Sequence, residues 1–309
     1  MAGPRLLTID CDYTAPRFAA AYLRVQDGEA AFIETGTAHA VPRLLAALGA
    51  EGMRPEDVRY VIITHVHLDH AGGASALMRA CPNATLLAHP RAAKHSVDPS
   101  KLVASATRVY GAERFAALYG TIEPIPEERV RSLDDGETVP LGGASLRFHH
   151  VRGHANHHFV VHDPEADTVF TGDSFGLVYP ALQRARPFAL PSTSPTDFDG
   201  AAALAALDRI AALGTARLHP THFGEVTAIP QVAAQLRRWL ELSAELVREH
   251  AGRPASESQA AIAEALRAHL PIEAATSGLT LTEADWALLA LDLDLNAQGL
   301  AFAASRAQR

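Results

Sequence analysis

Short apolar runs broken by Gly, Asp and Asn dominate the first 220 or so residues, and apolar residues at helical spacing dominate the remainder. Runs at 6–12, 19–25 and 29–33 predict strands, the last two joined through Gln26-Asp27-Gly28 as a hairpin. Positions 38–48 carry a helical repeat that stops at Gly49. The β-branched run 59–64 predicts a buried strand ending at His65, with a helix starting at 74–80 and a further strand at 85–88. From 90 to 131 the alternation is lost, and two helical pieces, 102–110 and 112–119, precede the Pro-rich Glu123-Pro124-Ile125-Pro126, so this stretch reads as a helical insertion. Strands are expected again at 137–139, 145–151, 159–162 and 168–170, separated by turns such as Asp134-Asp135-Gly136 and Asp163-Pro164. A helix at 200–213 and a last strand at 216–218 follow, ahead of His219. Beyond Gly224 only helices are predicted, at 231–250, 257–269 and 281–304, the last with Thr282 as its N-cap. Strands and helices alternating in two successive halves predict two mixed sheets covered by helices, with an all-helical tail.

A chain of 309 residues, 48% hydrophobic, can bury a large core and a smaller appendage. Its net charge of -8 offers no general attraction for nucleic acid or an anionic membrane, so neither is expected as a partner. Cys11 and Cys81 lie far apart and outside any ligand spacing, which argues against a disulfide framework or a thiolate metal site. The opening residues lack the apolar core of a secretory signal, and no uninterrupted apolar run reaches a bilayer-spanning length, so a cytoplasmic protein is expected. The sixteen histidines are what composition alone leaves unexplained.

Three imidazoles and a carboxylate fall within six residues in Thr64-His65-Val66-His67-Leu68-Asp69-His70, on the loop between a buried strand and a helix. Imidazole nitrogen and carboxylate oxygen suit a borderline-soft divalent ion, and burying so many ionisable groups without one is costly. Alternation sends His65 and His67 to the same side, while Asp69 and His70 fall where the chain turns. The motif with its trailing Gly72-Gly73 resembles the signature of the metallo-β-lactamase superfamily. Further segments resemble family elements in the family's order: Gly153-His154, Gly172-Asp173 and Thr221-His222. The resemblance implies His65, His67 and His154 as ligands of a first ion, Asp69, His70 and His222 of a second, and Asp173 as a bridge. It implies a four-layer αββα sandwich over 1–224, carrying the helical insertion, with 225–309 as a separate helical region. Where the family usually has Asp near the first strand end, this chain has Glu34, whose longer carboxylate can still support the ligand loop. His158 matches a second family histidine with a similar supporting part, and His219 is not expected as a ligand.

The resemblance further implies two divalent ions, zinc first with iron or manganese as alternatives, and a hydrolase that turns a metal-bridging hydroxide on a small ester, lactone or phosphodiester. Asp69 is the expected residue to orient that nucleophile and take its proton. An iron-dependent oxidoreductase resembling persulfide dioxygenases and a non-catalytic metal-binding module stay open as other readings. The insertion with Tyr110 and Tyr119, together with Tyr179, Arg184 and Arg186, is expected to wall the substrate pocket. The long apolar faces of the tail predict burial on the core or in a homodimer.

Overall fold

The structure is a computed structural model in which residues 4–307 are described. They form two compact units. One comprises the chain up to His150 with His157–Gly172 and Arg217–Gly224; the other comprises Val151–Asn156, Asp173–Ala216 and the chain from Glu225 onward.

In the first unit, β1 (Arg5–Asp10), β2 (Ala20–Gln26), β3 (Glu29–Ile33), β4 (Val58–Ile62), β5 (Thr85–Ala88) and β6 (Val130–Ser132) make one sheet in sequential order. β1 to β3 pair antiparallel through the expected hairpin, and β3 to β6 pair parallel. Parallel neighbours require crossovers. These are α1 (Val41–Ala50), then α2 (Leu68–Ala71) with α3 (Ala74–Ala80), then α4 (Pro90–Val97), α5 (Ser100–Tyr110) and α6 (Ala112–Tyr119). The insertion is thus the β5-to-β6 crossover. β6 itself escaped the sequence reading because its three residues, Val-Arg-Ser, form no apolar run.

The second sheet holds β7 (Thr138–Leu141), β8 (Ala144–Val151), β9 (His158–Asp163), β10 (Thr168–Gly172) and β11 (Arg217–Pro220), in the order β11-β10-β9-β8-β7. The first sheet divides its side chains by parity. Ala20, Tyr22, Ala31, Ile33, Tyr60 and Ile62 share one core with Leu146, Phe148, Phe159, Val161 and Phe170 of the second sheet. Ala19, Ala21, Leu23, Ala30, Phe32 and Val61 share the other with Leu44, Leu77 and Met78 of the helices. Such period-two partition makes β2 buried throughout, as a strand covered on both faces must be.

A buried ion pair breaks the apolar rule in this core. Arg24 is wholly buried with its Nε 2.6 Å from Asp163 Oδ2, and its remaining donors reach the Val25 carbonyl and Gln26 Oε1. Asp163 Oδ1 accepts from the Ala166 backbone, so the pair is satisfied on both sides.

The second unit contains α7 (Gly200–Ala211), α8 (Ile229–Glu249), α9 (Ala255–Thr276) and α10 (Glu283–Arg306). Thr282 caps α10 as expected, accepting from the Asp285 amide. The sequence reading stops the middle tail helix at 269, yet α9 runs through Pro271 because Leu270, Glu273 and Ala274 beyond it are buried. It also assigns 151–156 and 173–216 to the core domain. They cluster instead with the helical tail, because the loop is fastened there: Asn296 accepts from Thr193 N and donates to the Pro191 carbonyl, and Gln235 accepts from Ala189 N.

That fastening corrects part of the expected pocket wall. Tyr179 is buried and donates to Asp292, Arg184 pairs with Asp285, and the Arg186 amide donates to the Ser277 carbonyl. Tyr179 and Arg184 are thus engaged within this unit, while the Arg186 side chain is exposed. Leu236, Leu240, Leu246, Leu289 and Leu293 are buried here too, so the faces that suggested a homodimer are covered within one chain. Among the described residues the large exposed hydrophobics are Val109, Ile272 and Leu291. α10 is long and apolar enough by composition to cross a membrane, but half of its apolar window is buried, the ordinary condition of a core helix.

Candidate metal centre

In the first unit the histidine motif begins where β4 ends and runs through α2, so a buried strand fixes its start and a short helix turns its end. His65 and His70 are fully buried, with ring centroids 4.1 Å apart, and the His67 ring stands 4.4 Å from that of His65. His222 follows β11. Two clusters of ligand atoms lie within 4.8 Å of one another: Asp69, His70 and His222, and Glu34, His65 and His70.

The order of the hydrogen bonds fixes which ring nitrogen each histidine presents. Glu34 Oε1 accepts from Thr64 Oγ1, so that hydroxyl has spent its proton and must accept from His65 Nδ1, 3.0 Å away. His70 Nδ1 donates to the same Glu34 oxygen at 3.1 Å, and His222 Nδ1 donates to the Phe18 carbonyl at 2.8 Å. All three rings therefore carry the proton on Nδ1 and keep the Nε2 lone pair for a metal, the arrangement in which an outer acceptor sets the tautomer. Around Asp69 this converges: its Oδ2 lies 3.6 Å from His70 Nε2 and 3.3 Å from His222 Nε2.

Glu34 ties three strand ends together. Besides Thr64 and His70 it accepts from Thr221 Oγ1 at 3.2 Å, and so joins the ends of β3, β4 and β11. It is buried and sits at φ 64°, a left-handed conformation that costs a side-chain-bearing residue about 1–2 kcal/mol. Those hydrogen bonds offset the strain.

In the second unit His154 and Asp173 lie together, Nε2 to Oδ2 3.5 Å, both nearly buried. His154 Nδ1 donates to the Ser192 carbonyl at 3.1 Å, so this ring shows the same tautomer as the others. The two residues line a small cavity with Arg152, Leu236 and Leu240.

The remaining histidines separate by environment. His158 is buried and stacks on His65, ring centroids 4.8 Å apart, supporting it from behind. Gly172 is required there, since a Cβ would collide with the His158 ring and the Thr64 hydroxyl. His219 packs edge-on to Tyr22 with Nδ1 2.7 Å from Thr168 Oγ1, and burial pulls its pKa down to about 4. It stays neutral and belongs to the core. His89 falls to about 4 as well, through burial first and then the nearby His150, while its Nδ1 caps α4.

The sequence reading names Tyr110 and Tyr119 but not Tyr13, which completes their cluster. Tyr13 and Tyr119 hydroxyls are 3.2 Å apart, Tyr110 meets Tyr119 edge-on, and the group packs on Leu68, beside Asp69 in the chain. Burial pushes the Tyr13 and Tyr119 phenols up, and the charge of Asp69 adds to this in both. Tyr179, Arg184 and Arg186 are not part of this cluster. No periodicity marks Tyr13, which lies in the irregular loop after β1.

Residues 14–222 match the family model of the metallo-beta-lactamase superfamily, and the chain belongs to that superfamily. Among curated proteins it is 26% identical over 184 residues to the metallo-beta-lactamase fold-containing protein ST1585 of Sulfurisphaera tokodaii, covering 58% of this chain and 63% of that one. It is 27% identical over 165 residues to a hydroxyacylglutathione hydrolase of Aeromonas salmonicida, covering 52% and 50%. The chain thus spans about half to two thirds of the length of these relatives. The solved structure of ST1585 superposes with a TM-score of 0.67 at 20% identity, over 97% of this chain and 98% of that one. A metallo-beta-lactamase family protein of Thermus thermophilus, TTHA1429, gives 0.64 at 21% identity over 98% and 92%. The fold is the αββα class expected from the motifs, with C-terminal helices present.

Proposed function

We propose that this chain is a two-metal hydrolase of a small ester, lactone or phosphodiester. The observation that carries the reading is the uniform tautomer: His65, His70, His154 and His222 each commit Nδ1 to an oxygen and reserve Nε2. His67 stands beside His65 among the first unit's donors, and the second unit carries donors of the same kind in His154 and Asp173. Two divalent ions, zinc by donor preference, would supply a water acidified toward neutrality and a Lewis acid for the electrophile.

The chain's own groups do the rest. Asp69 is a quarter exposed while His70 and His222 are buried, so it is the carboxylate an incoming water meets and the one that takes its proton. Glu34 and its threonines hold the imidazoles, and the Tyr13–Tyr119 pair keeps apolar faces beside Leu68 with hydroxyls that can donate to a substrate oxygen. The hydrolase named among the relatives supports hydrolysis as the reaction class.

The test combines metal analysis of protein purified without added metal with turnover of p-nitrophenyl acetate, a γ-lactone and bis-p-nitrophenyl phosphate. We expect about two zinc ions per chain, hydrolysis that chelation abolishes and zinc restores, and a fall of about 10²- to 10⁴-fold in kcat for Asp69→Asn. Hydrolysis that survives metal removal, or an iron-loaded protein inert toward all three substrates, overturns the proposal.

A further inference from the structure

The second unit contains an open groove of about 510 Å³, within the range of small-molecule sites. It lies between the start of α7 and the ends of α8 and α10. Three guanidinium groups line it in a chain of net charge -8: Arg152, Arg248 and Arg306. The Phe198 and Phe302 rings and Val247 supply its apolar surface.

The charges there are unbalanced in a specific way. On α8, Arg237 and Arg238 pair with Asp208 and Glu273, whereas Arg248 and Arg306 meet no carboxylate at ion-pair distance among the described residues. The groove's two carboxylates are already employed by the backbone: Asp197 accepts from Asn156 N, and Asp199 caps α7 by accepting from Ala202 N. Arg306 stands 5.7 Å over the Phe302 ring, which holds its guanidinium in place beside an apolar face. Arg152 is held by two bonds to Asn156 Oδ1. Three guanidinium groups outnumber these two backbone-bonded carboxylates, and such a surplus of cations beside aromatic surface suits a ligand that brings an anion and an apolar body together.

We propose that this groove binds a small amphipathic oxyanion, a carboxylate or phosphate carried on an aryl or short alkyl group. Guanidinium forks accept either head, and the phenyl rings accept the body. The proposal is independent of the metal-centre reading, although Arg152 also lines the cavity that holds His154 and Asp173.

Calorimetric titration of the full, metal-loaded chain tests it, using 4-phenylbutyrate, phenyl phosphate, the neutral 4-phenylbutyramide and inorganic phosphate. We expect one of the two aryl anions to bind at one equivalent, with the amide and inorganic phosphate at least tenfold weaker. Arg248→Gln and Arg306→Gln, both exposed positions, should each weaken that binding at least tenfold, and Arg237→Gln should not. Whichever aryl anion binds more tightly identifies the head group. Failure of both anions to bind, indifference to the two substitutions, or equal binding of inorganic phosphate, which would mark a simple anion site, overturns the proposal.

Discussion

Replacing Glu34 by Gln tests the support of the metal centre at its most connected point. The side chain keeps its volume, so packing is little disturbed, but the carboxylate becomes a neutral amide with one acceptor and one donor end. If the oxygen stays toward His70, Thr64 and Thr221, those bonds lose their charge assistance, which roughly halves each. The amide nitrogen then faces the Thr64 N–H, 3.4 Å from the carboxylate oxygen it replaces, and two donors oppose each other at a cost of about 1–3 kcal/mol. Either way the Nδ1 acceptor of His70 weakens and the Thr64 hydroxyl is freed to turn from His65. Supporting acceptors of ligating histidines are worth about 10- to 100-fold in metal affinity, or about 1.4–2.7 kcal/mol. Competition against a chromophoric chelator, with metal counted by atomic emission, should therefore show Glu34→Gln losing affinity in that range. Glu34→Asp, which keeps the charge on a side chain one methylene shorter, should lose less than tenfold. Wild-type metal affinity in a folded Glu34→Gln protein would refute the reasoning, as would a thermal destabilisation unaccompanied by any metal effect.

Two further outcomes follow from the packing. Arg24→Met should destabilise by about 3–5 kcal/mol because it strands the buried Asp163 carboxylate, whereas the double variant Arg24→Met/Asp163→Leu should recover most of that loss in urea unfolding; additive losses would show that the pair is not coupled. Asp285, whose hydrogen bonds from Arg184 lower its pKa to about 2, should contribute stability that is fully present above the unfolded value near 4 and is lost as pH falls through about 2. Asp285→Asn should accordingly cost about 1–2 kcal/mol at pH 6, allowing for the half-exposed Arg184, and progressively less between about pH 4 and 2; a constant cost across that range would remove the ion pair as its cause.

Local patterns carried most of the secondary structure, because each sheet strand is short, apolar and punctuated, and because Thr282 and the hairpin turn are decided by immediate neighbours. The candidate ligand motif stands out for the same reason: its ionisable groups are packed into six consecutive residues. Long-range relations do not. Nothing around Arg24 announces that it faces Asp163, 139 positions away, and alternation alone would make it solvent-facing. Tyr13 and Thr221 gain their places only through partners on distant strands or helices. The partners of Tyr179 and Arg184, Asp292 and Asp285 of α10, are likewise invisible before the tail folds back.

The insertion between β5 and β6 leaves and re-enters the sheet through adjacent parallel strands, whose spacing is about 4.8 Å whatever the connection contains. Its endpoints are therefore set by the ladder and not by its own helices. A lineage can lengthen, shorten or exchange α4 to α6 while Glu34, Thr64 and the histidines keep their register, since none of them lies on the exchanged segment. Leu68 and Tyr13 offer whatever replaces it an apolar seat next to Asp69. Variation of the segment beside Asp69 is thereby separated from the register of the candidate ligands, and the two can change at different speeds within one chain.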